Sequence, residues 1–250
     1  MISSERLLAI MEYLEKDGVV KVKELAKRFD SSETTIRRDL ELLEQQGKLK
    51  RVSGGALRLQ VAEILSSIDE PPMDEKVHRQ EEVKRALCAK ANSMVNDGEC
   101  IFVDGGTTLL PLLELLSQRR VTIVTHNQLA LRVMKNCKAT LIMLGGEYSS
   151  VYEMTTGPMT IDELRRFSFD RAFLGCASVD VISNRMYTTE IETASVKTEA
   201  MKLSNNNYLL VDKTKVNRKG FYMCACLDEF DSVITDYSGE GLTNATVIKG

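Results

Sequence analysis

The chain has 250 residues, of which 43% are hydrophobic, and a formal net charge of −3 at pH 7. This apolar content can form a sizeable core, in one large domain or in a small one joined to a larger one, and the charge excludes a wholly basic nucleic-acid coat protein. The six cysteines form no C-x-x-C pair and lie in apolar stretches, as reduced core thiols do, so we expect a cytoplasmic protein without metal or cofactor. No apolar run approaches the roughly 20 residues of a membrane span, so we expect no membrane contact.

Charged residues are unevenly distributed along the chain. Residues 1–60 contain 12 Lys and Arg against 10 Asp and Glu, whereas the remaining residues contain 21 against 26. The excess of positive charge at the start favours a DNA-binding N-terminal segment.

Three short helices and a hairpin are predicted for the first sixty residues. Apolar residues recur at the three- and four-residue spacing of a helix face, Asp and Ser residues cap the third helix, and a glycine turn separates two short strands. The residues that carry this pattern are Arg6, Leu7, Ile10, Met11 and Leu14 in the first helix, Leu25, Ala26 and Phe29 in the second, Asp30-Ser31-Ser32 before Ile36, Leu40 and Leu43 in the third, and 48–52, Ser53-Gly54-Gly55 and 56–59 in the hairpin.

The third helix carries hydroxyls and arginines on its first turns, while leucines run along its opposite side. Side chains on the first turns of a helix in the major groove reach base edges or phosphates, and Arg can bind guanine through two hydrogen bonds. Cations on the hairpin would add phosphate contacts, which increase affinity without reading sequence. The alternative is that Arg37 and Arg38 are ordinary exposed charges paired locally by Asp39 and Glu41.

These N-terminal positions together resemble the winged helix-turn-helix of the DeoR family of bacterial repressors. The matching residues are Arg6, Ile10, Leu14, Ser32, Thr35, Ile36, Arg37, Arg38, Asp39 and Leu40, with Gly54-Gly55 at the turn of the wing. The resemblance implies a domain over residues 1–59 that binds double-stranded operator DNA, with Ile36 and Leu40 in its core and Asp39 holding an arginine or a helix end. The predicted DNA contacts are Ser32, Thr34, Thr35, Arg37, Arg38, Lys48, Lys50 and Arg51.

A linker over residues 60–76 and a larger domain over residues 77–250 are predicted next. Ser66-Ser67 and Pro71-Pro72 form a turn-rich cluster, and a helix is predicted over residues 78–95. Short apolar runs then alternate with helical patterns, which predicts a doubly wound α/β domain with a mostly parallel sheet covered on both faces. The predicted strands are 100–103, 121–125, 140–144, 171–175, 208–211, 232–235 and 246–248.

A glycine turn, Asp104-Gly105-Gly106-Thr107-Thr108, follows the first of these strands and opens a helix. Its glycines let the backbone approach an oxyanion, and exposed amides and threonine hydroxyls would donate to it. A common strand-to-helix turn with no ligand is the alternative. Other strand ends should line the same rim if the sheet is parallel. These are Thr125-His126-Asn127, Gly145-Gly146-Glu147 and 212–215, with Glu192 and Lys197 at the border.

The second part of the chain also resembles the DeoR family, in the segments 169–175, 192–197 and 212–215. The resemblance implies a sensor domain, similar to the ribose-5-phosphate isomerase group, that binds a phosphorylated sugar. The roles it implies are a phosphate cradle of Asp104, Gly106, Thr107 and Thr108, charge neutralisation by Lys197 and Lys215, and hydroxyl contacts by Asn127 and Asp212. His126-Asn127 departs from the usual Asn-Ser, and Arg185-Met186-Tyr187 stands where a glycine is usual. The His126 imidazole contacts either the ligand or a backbone carbonyl.

Three functions remain open from the sequence. The leading one is a repressor, not an enzyme, of a carbohydrate-utilisation operon, relieved by a sugar phosphate and acting as a dimer or tetramer because DNA half-sites are paired. The second is a sugar-phosphate isomerase with an attached DNA-binding head, in which Glu192 is the general base and Asp180 a second carboxylate. The third is an adaptor without a ligand.

Overall fold

The computed structural model describes residues 3–17, 19–52, 55–58, 73–238, 241–242 and 245–247. The chain divides into two compact units, Met1–Glu70 and Pro71–Gly250, and the division falls inside the predicted linker. The predicted turn residues Ser53 and Gly54 and residues 60–72 of the linker lie outside the described residues. Within the described ranges, no helix has the length and apolar character needed to cross a membrane.

The first unit is a winged helix-turn-helix, as predicted. The helices are α1 Ser3–Asp17, α2 Val22–Arg28 and α3 Glu33–Gln45, and the strands are β1 Val19–Lys21, β2 Leu49–Val52 and β3 Gly55–Arg58. Strand β3 lies between β1 and β2, and both pairings are antiparallel.

A single apolar cluster holds the described helices of this unit together. Ile36, Leu40 and Leu43 form the buried stripe of α3, at the four- and three-residue spacing that brings side chains to one helix face. They pack with Ile10 and Leu14 of α1. Full burial of each such side chain contributes about 1.5–3 kcal/mol, so this cluster supplies most of the driving force for folding the unit.

The second unit is an α/β domain built on a parallel sheet. In the part of it that the structure describes, seven strands pair in parallel, and each includes one of the seven predicted apolar runs or most of it. The helices are α4 Met73–His78, α5 Glu81–Asn92, α6 Leu110–Leu116, α7 Ala130–Val133, α8 Pro158–Leu164 and α9 Ile191–Lys202. The sheet strands are β4 Cys100–Val103, β5 Thr122–Thr125, β6 Thr140–Met143, β9 Phe169–Leu174, β12 Ser204–Val211, β14 Ser232–Thr235 and β15 Ala245–Val247.

Both faces of the sheet are covered. Successive side chains of a strand point to opposite faces. In β4, Ile101 and Val103 therefore pack into the cluster that contains Leu87 of α5, whereas Phe102 packs into the cluster that contains Val196 of α9. This confirms the doubly wound arrangement.

The order of the strands reverses between β4 and β9. The sheet runs β15-β14-β12-β9-β4-β5-β6, so the chain passes from β4 outward to β6 and then returns to β9 on the other side of β4. In open α/β sheets, ligands bind beyond the carboxyl ends of the strands at such a switch point. Asp104 directly follows β4, and Gly175 directly follows β9.

The structure differs from the sequence predictions in two places. The helix predicted over residues 78–95 is present but shorter: α5 spans Glu81–Asn92, and Gln80 before it has a φ of 53°, which separates it from α4. Helix α4 also occupies the last residues of the predicted linker. Five short strands were not predicted. Four of them contain no continuous apolar run, whereas the fifth, Tyr222–Cys226, is such a run that the prediction missed. They are β7 Glu147–Ser149 with β8 Met154–Thr156, and β10 Ser178–Asp180, β11 Arg185–Thr188 and β13 Tyr222–Cys226.

Candidate functional site

Helix α3 of the first unit begins at a capped end. Ser32 Oγ accepts a hydrogen bond from the Thr35 amide at 3.1 Å and lies 2.8 Å from Thr35 Oγ1. A cap of this kind stabilises a helix by about 0.5–2 kcal/mol. Thr34 is exposed beside it. The first turn of α3 is therefore held by its cap and carries hydroxyl groups at its surface.

Arg37 and Arg38 are exposed on the next turn of α3. Arg37 Nη2 donates to Glu33 Oε2 at 2.8 Å, and the two side chains are 61% and 40% exposed. Such a pair contributes little to stability, so Arg37 can leave it for another anion. Within the described ranges, Arg38 has no salt-bridge partner. Local pairing of the arginines by Asp39 is wrong, because Asp39 binds a different residue.

Asp39 holds Arg6, which confirms its predicted structural role. Arg6 Nε donates to Asp39 Oδ2, and Nη2 donates to Oδ1 at 3.1 Å. Both side chains are at most 10% exposed. The hydrogen bond that Arg6 donates to Asp39 raises the pKa of the guanidinium, and burial opposes this rise. This pair joins α1 to α3 behind the surface that carries Arg37.

The predicted cations of the wing differ in their surroundings. Lys48 is exposed, and Arg51 Nε donates to Glu44 Oε2 at 2.8 Å. Lys50 lies in β2, but its side chain is outside the described part of the structure.

Asp104 stands at the switch point and is fully buried. Its Oδ2 accepts a hydrogen bond from the Gly175 amide at 3.0 Å and one from Lys197 Nζ, which also donates to the Gly175 carbonyl at 3.0 Å. Burial by itself would raise the pKa of Asp104, but the positive charge of Lys197 brings it down to about 2. The Lys197 charge, predicted to neutralise phosphate, is therefore already balanced by Asp104.

The His126 ring is buried between two backbone segments. Its Nδ1 lies 2.8 Å from the Thr155 carbonyl oxygen, which can only accept, so Nδ1 carries a proton. The Gly105 amide donates to Nε2 at 3.0 Å, and Asp104 Oδ1 lies 3.1 Å away. Of the two contacts predicted for His126, the structure therefore shows the one with a backbone carbonyl.

Buried polar side chains at the carboxyl end of β5 form hydrogen bonds that hold the glycine turn. Gly106 has a φ of 94°, which favours glycine, and its carbonyl accepts from Asn127 Nδ2 at 3.0 Å. Asn127 Oδ1 accepts from the Leu129 amide at 3.1 Å, and Thr125 Oγ1 donates to the Val103 carbonyl at 2.6 Å. Asn127 and Thr125 therefore shape the turn, while the amides at the start of the helix that follows Gly106 have no partner within that helix.

Ammonium groups from two elements reach the two threonines of the turn. Lys84 Nζ donates to Thr107 Oγ1 at 3.0 Å. Lys215 Nζ lies 3.5 Å from Thr108 Oγ1 and donates to the Cys176 carbonyl at 3.1 Å. The turn therefore has one lysine on each of its adjacent hydroxyls, a combination that can bind an oxyanion.

Asp212 positions Lys215 instead of standing free. It is 2% exposed, and its Oδ1 accepts hydrogen bonds from the Thr214 amide at 3.0 Å and from the Thr214 hydroxyl. These bonds cap the short 3-10 turn Lys213–Lys215. The side chain predicted to meet a ligand hydroxyl thus has a structural role in this structure.

Three other predicted ligand residues, Gly145, Gly146 and Glu192, make no hydrogen bond to the lysines within the described part of the chain. The Gly145 amide donates to Glu163 Oε2 at 2.7 Å, and its carbonyl accepts from Thr160 Oγ1 at 2.6 Å. A Cβ on Gly146 would lie 2.1 Å from the same Thr160 oxygen, so this loop is packed against α8. The Glu192 side chain is exposed, and the described part of the chain shows no hydrogen bond or ion pair for it.

Lys84 and Lys76 were not among the predicted site residues. Lys84 occupies the helical position four residues before Cys88 and three before Leu87, and all three are buried on one face of α5. A lysine in an apolar stripe is the signal that could have identified it. Lys76 carried no such signal, because it was assigned to the linker.

Two family models match the chain over the regions just described. A "DeoR-like helix-turn-helix domain" matches residues 6–61, and a "DeoR C terminal sensor domain" matches residues 79–237. The chain belongs to the DeoR family of transcriptional regulators. Its DNA-binding and sensor regions are therefore those of a DNA-binding regulator, which agrees with the resemblance inferred from the sequence.

Curated relatives in this DeoR family match nearly the whole chain. The chain is 30% identical to an uncharacterized HTH-type transcriptional regulator, FruR, of Bacillus subtilis, covering 94% of this chain and 92% of the relative. It is 32% identical to the lactose phosphotransferase system repressor of Lactococcus lactis (94% and 92%), and 29% identical to that of Staphylococcus aureus (94% and 93%).

Solved structures show weaker likeness. Ribose 5-phosphate isomerase A from Methanocaldococcus jannaschii has 18% identity and a TM-score of 0.40, with 56% of each chain covered. The eIF2B beta structure from Chaetomium thermophilum has 13% identity and a TM-score of 0.45, with 69% of this chain and 53% of the other covered. Membership of the DeoR family rests on the family models and the relatives, not on these structures.

Proposed function

We propose that this regulator is a repressor whose operator binding is relieved by a phosphorylated sugar held at the Asp104–Thr108 turn. The observation that carries the proposal is the placing of Lys84 and Lys215 on the adjacent hydroxyls of Thr107 and Thr108. Relatives named as lactose phosphotransferase system repressors support both the repressor role and a carbohydrate-linked signal.

Charge favours a phosphate over a neutral sugar at this turn. Asp104 is balanced by Lys197, so it does not cancel the charges of Lys84 and Lys215. A phosphate monoester would accept hydrogen bonds from both ammonium groups and both threonines, and charge-assisted hydrogen bonds are about twice as strong as neutral ones. The isomerase alternative has no comparable support, because Glu192, its supposed base, is exposed.

The proposed switch needs two states that differ in affinity for the ligand. A phosphorylated sugar lowers operator affinity only by as much as it binds the released state more tightly. We propose an assembly of two or more copies, since paired half-sites match a symmetric oligomer.

Arg37→Ala should weaken operator binding by about 1–3 kcal/mol and relax base preference, because a bidentate arginine contact to guanine is worth this much. The measurement is fluorescence anisotropy with an operator selected from random duplexes and with its single-base variants, at fixed salt. Glu33→Gln is the control: it removes only the local partner of Arg37 and should not weaken binding. Unchanged affinity of Arg37→Ala for the selected operator would contradict this contact.

Lys215→Gln should leave operator binding intact while raising the effector concentration needed for release at least roughly tenfold, because one charged hydrogen bond to phosphate is lost. A panel of sugar phosphates is titrated against the protein bound to labelled operator. Lys213→Gln is the matched control, since Lys213 is exposed two residues away. Release of Lys215→Gln at wild-type effector concentrations would argue against the phosphate site.

A further inference from the structure

Lys84 carries a buried ammonium group on an otherwise apolar helix face. The residue is 4% exposed and lies on α5 beside Leu87 and Cys88, which are fully buried. Its Nζ donates to the Lys76 carbonyl and to Thr107 Oγ1. Among the residues that the structure describes, no carboxylate forms a salt bridge with it. Its charge is thus held at the turn by neutral oxygens alone.

Lys76 links α4 to the same turn through its backbone, and its ammonium is close enough to Lys84 and Lys215 to interact with their charges. It lies in α4, and its Nζ is 5.7 Å from the centroid of the Tyr152 ring. Its carbonyl accepts hydrogen bonds from Lys84 Nζ and, at 3.3 Å, from Thr107 Oγ1. Helix α4 is therefore bonded to the two side chains that reach the proposed phosphate position.

Lys76, Lys84 and Lys215 repel one another. Burial, followed by the positive charge of Lys215, lowers the pKa of Lys76 to about 8 and that of Lys84 to about 8. Three ammonium groups held together in this way favour an added anion. The other groups whose charges act on Lys76 or Lys84 are Arg79, which lowers the pKa of Lys76, and Glu190, Asp212, Glu81 and Cys88, which act in the opposite direction.

We infer that Lys76 extends the phosphate subsite formed by Lys84 and Lys215, so that helix α4 is itself part of the ligand site. This inference rests on the proposed function and extends it to regulation. Helix α4 is the first described element after residues 60–72, which connect it along the chain to the DNA-binding unit. An anion that fixes α4 therefore acts at the start of the second unit, where the chain arrives from the DNA-binding unit.

Anion binding should be linked to proton uptake. A bound anion favours the charged form of both lysines. It therefore raises the pKa of each above the value of about 8 that it has in the protein without ligand. Between pH 8 and 9.5 the complex then holds more protons than the free protein, so affinity falls as the pH rises through this range. Below about pH 7 both lysines are already protonated in the free protein, and no uptake is expected.

The test is isothermal titration calorimetry of the full chain with sulfate, which does not titrate in this range. Titrations at pH 8.5 in two buffers of different ionisation enthalpy give the number of protons taken up, for which we expect about one per sulfate. Lys84→Gln should bind sulfate roughly tenfold or more weakly and lose much of the uptake. Lys76→Gln gives a second, independent reduction in uptake, and Lys90→Gln, an exposed lysine on the same helix, should match wild type.

Hydrogen exchange of the amides of α4 supplies the structural readout. Sulfate should slow their exchange in wild type but not in Lys84→Gln. Wild-type binding, uptake and α4 protection in Lys76→Gln, with binding weakened in both Lys84→Gln and Lys215→Gln, would overturn this inference while the proposed function stands. If neither sulfate nor any sugar phosphate binds the wild-type chain, both fall.

Discussion

Asp104→Asn is expected to lower the free energy of unfolding of the second unit by about 3–5 kcal/mol. The variant leaves the ammonium of Lys197 buried without a charged partner, and removing one member of a buried ion pair has this effect in proteins. The Lys197 side chain is 7% exposed and Asp104 is fully buried, so water cannot replace the lost carboxylate. Urea denaturation followed by circular dichroism measures the change.

Asp97→Asn is the matched control for this prediction. Asp97 accepts from Arg119 at 3.2 Å but is 59% exposed, so its loss should change stability by less than about 1 kcal/mol. Combining Asp104→Asn with Lys197→Met should recover much of the loss, because no buried charge then remains unpaired. Equal stabilities of Asp104→Asn and Asp97→Asn would contradict the role given to the pair.

The effect of Asp104→Asn should also depend on pH. The pKa of Asp104 is lowered from 3.8 to about 2 in the folded protein. A lowered carboxyl pKa contributes stability that is present above the unfolded value and is lost as the pH falls through the folded one. The difference between wild type and variant should therefore shrink between about pH 4 and pH 2.

Asp39→Asn should have the second large effect: we expect it to lower the free energy of unfolding of the first unit by about 3–5 kcal/mol. The variant leaves the guanidinium of Arg6, which is 10% exposed, without its carboxylate. Small domains have only about 5–15 kcal/mol of stability in total, so operator binding should fall as the unit unfolds. We expect weak operator binding together with faster hydrogen exchange in α1 and α3.

Arg37→Ala separates loss of contact from loss of fold in this unit. It should weaken operator binding with hydrogen exchange in α3 unchanged, whereas Asp39→Asn should change both. Glu41→Gln, an exposed carboxyl on the same helix, should change neither the exchange nor the melting temperature. A wild-type melting temperature for Asp39→Asn would show that the Arg6 pair is dispensable.

Much of the fold could be predicted because its signals are local. The stripe of Ile36, Leu40 and Leu43 predicted α3, and the continuous apolar runs predicted the strands of the parallel sheet. The short strands β10 and β11 escaped prediction because they are held by an antiparallel partner and by the core beneath, not by an apolar run of their own. The break at Gln80 escaped because the apolar stripe of this helix starts only at Val83 and so does not define where the helix begins.

The location of the candidate site could also be predicted, but not the roles within it. Asp104 and Lys197 are far apart in the chain, and their pairing follows from β9 returning beside β4. Asn127 and Asp212 were expected to face a ligand, yet they bond to the turns that carry Gly106 and Lys215. Which polar side chains are occupied by the protein depends on distances that no spacing in the sequence encodes.

The amino-acid sequence by itself determined a winged helix-turn-helix followed by an α/β domain, and placed a glycine turn where an anion could bind. These features depend on residues that are neighbours along the chain or on one helix face. The tertiary structure alone decided which charges are neutralised inside the protein and which remain for a ligand. It balances Lys197 with Asp104 and places Lys84 and Lys215 on Thr107 and Thr108, because the electrostatic energy of a charge depends on its neighbours in space.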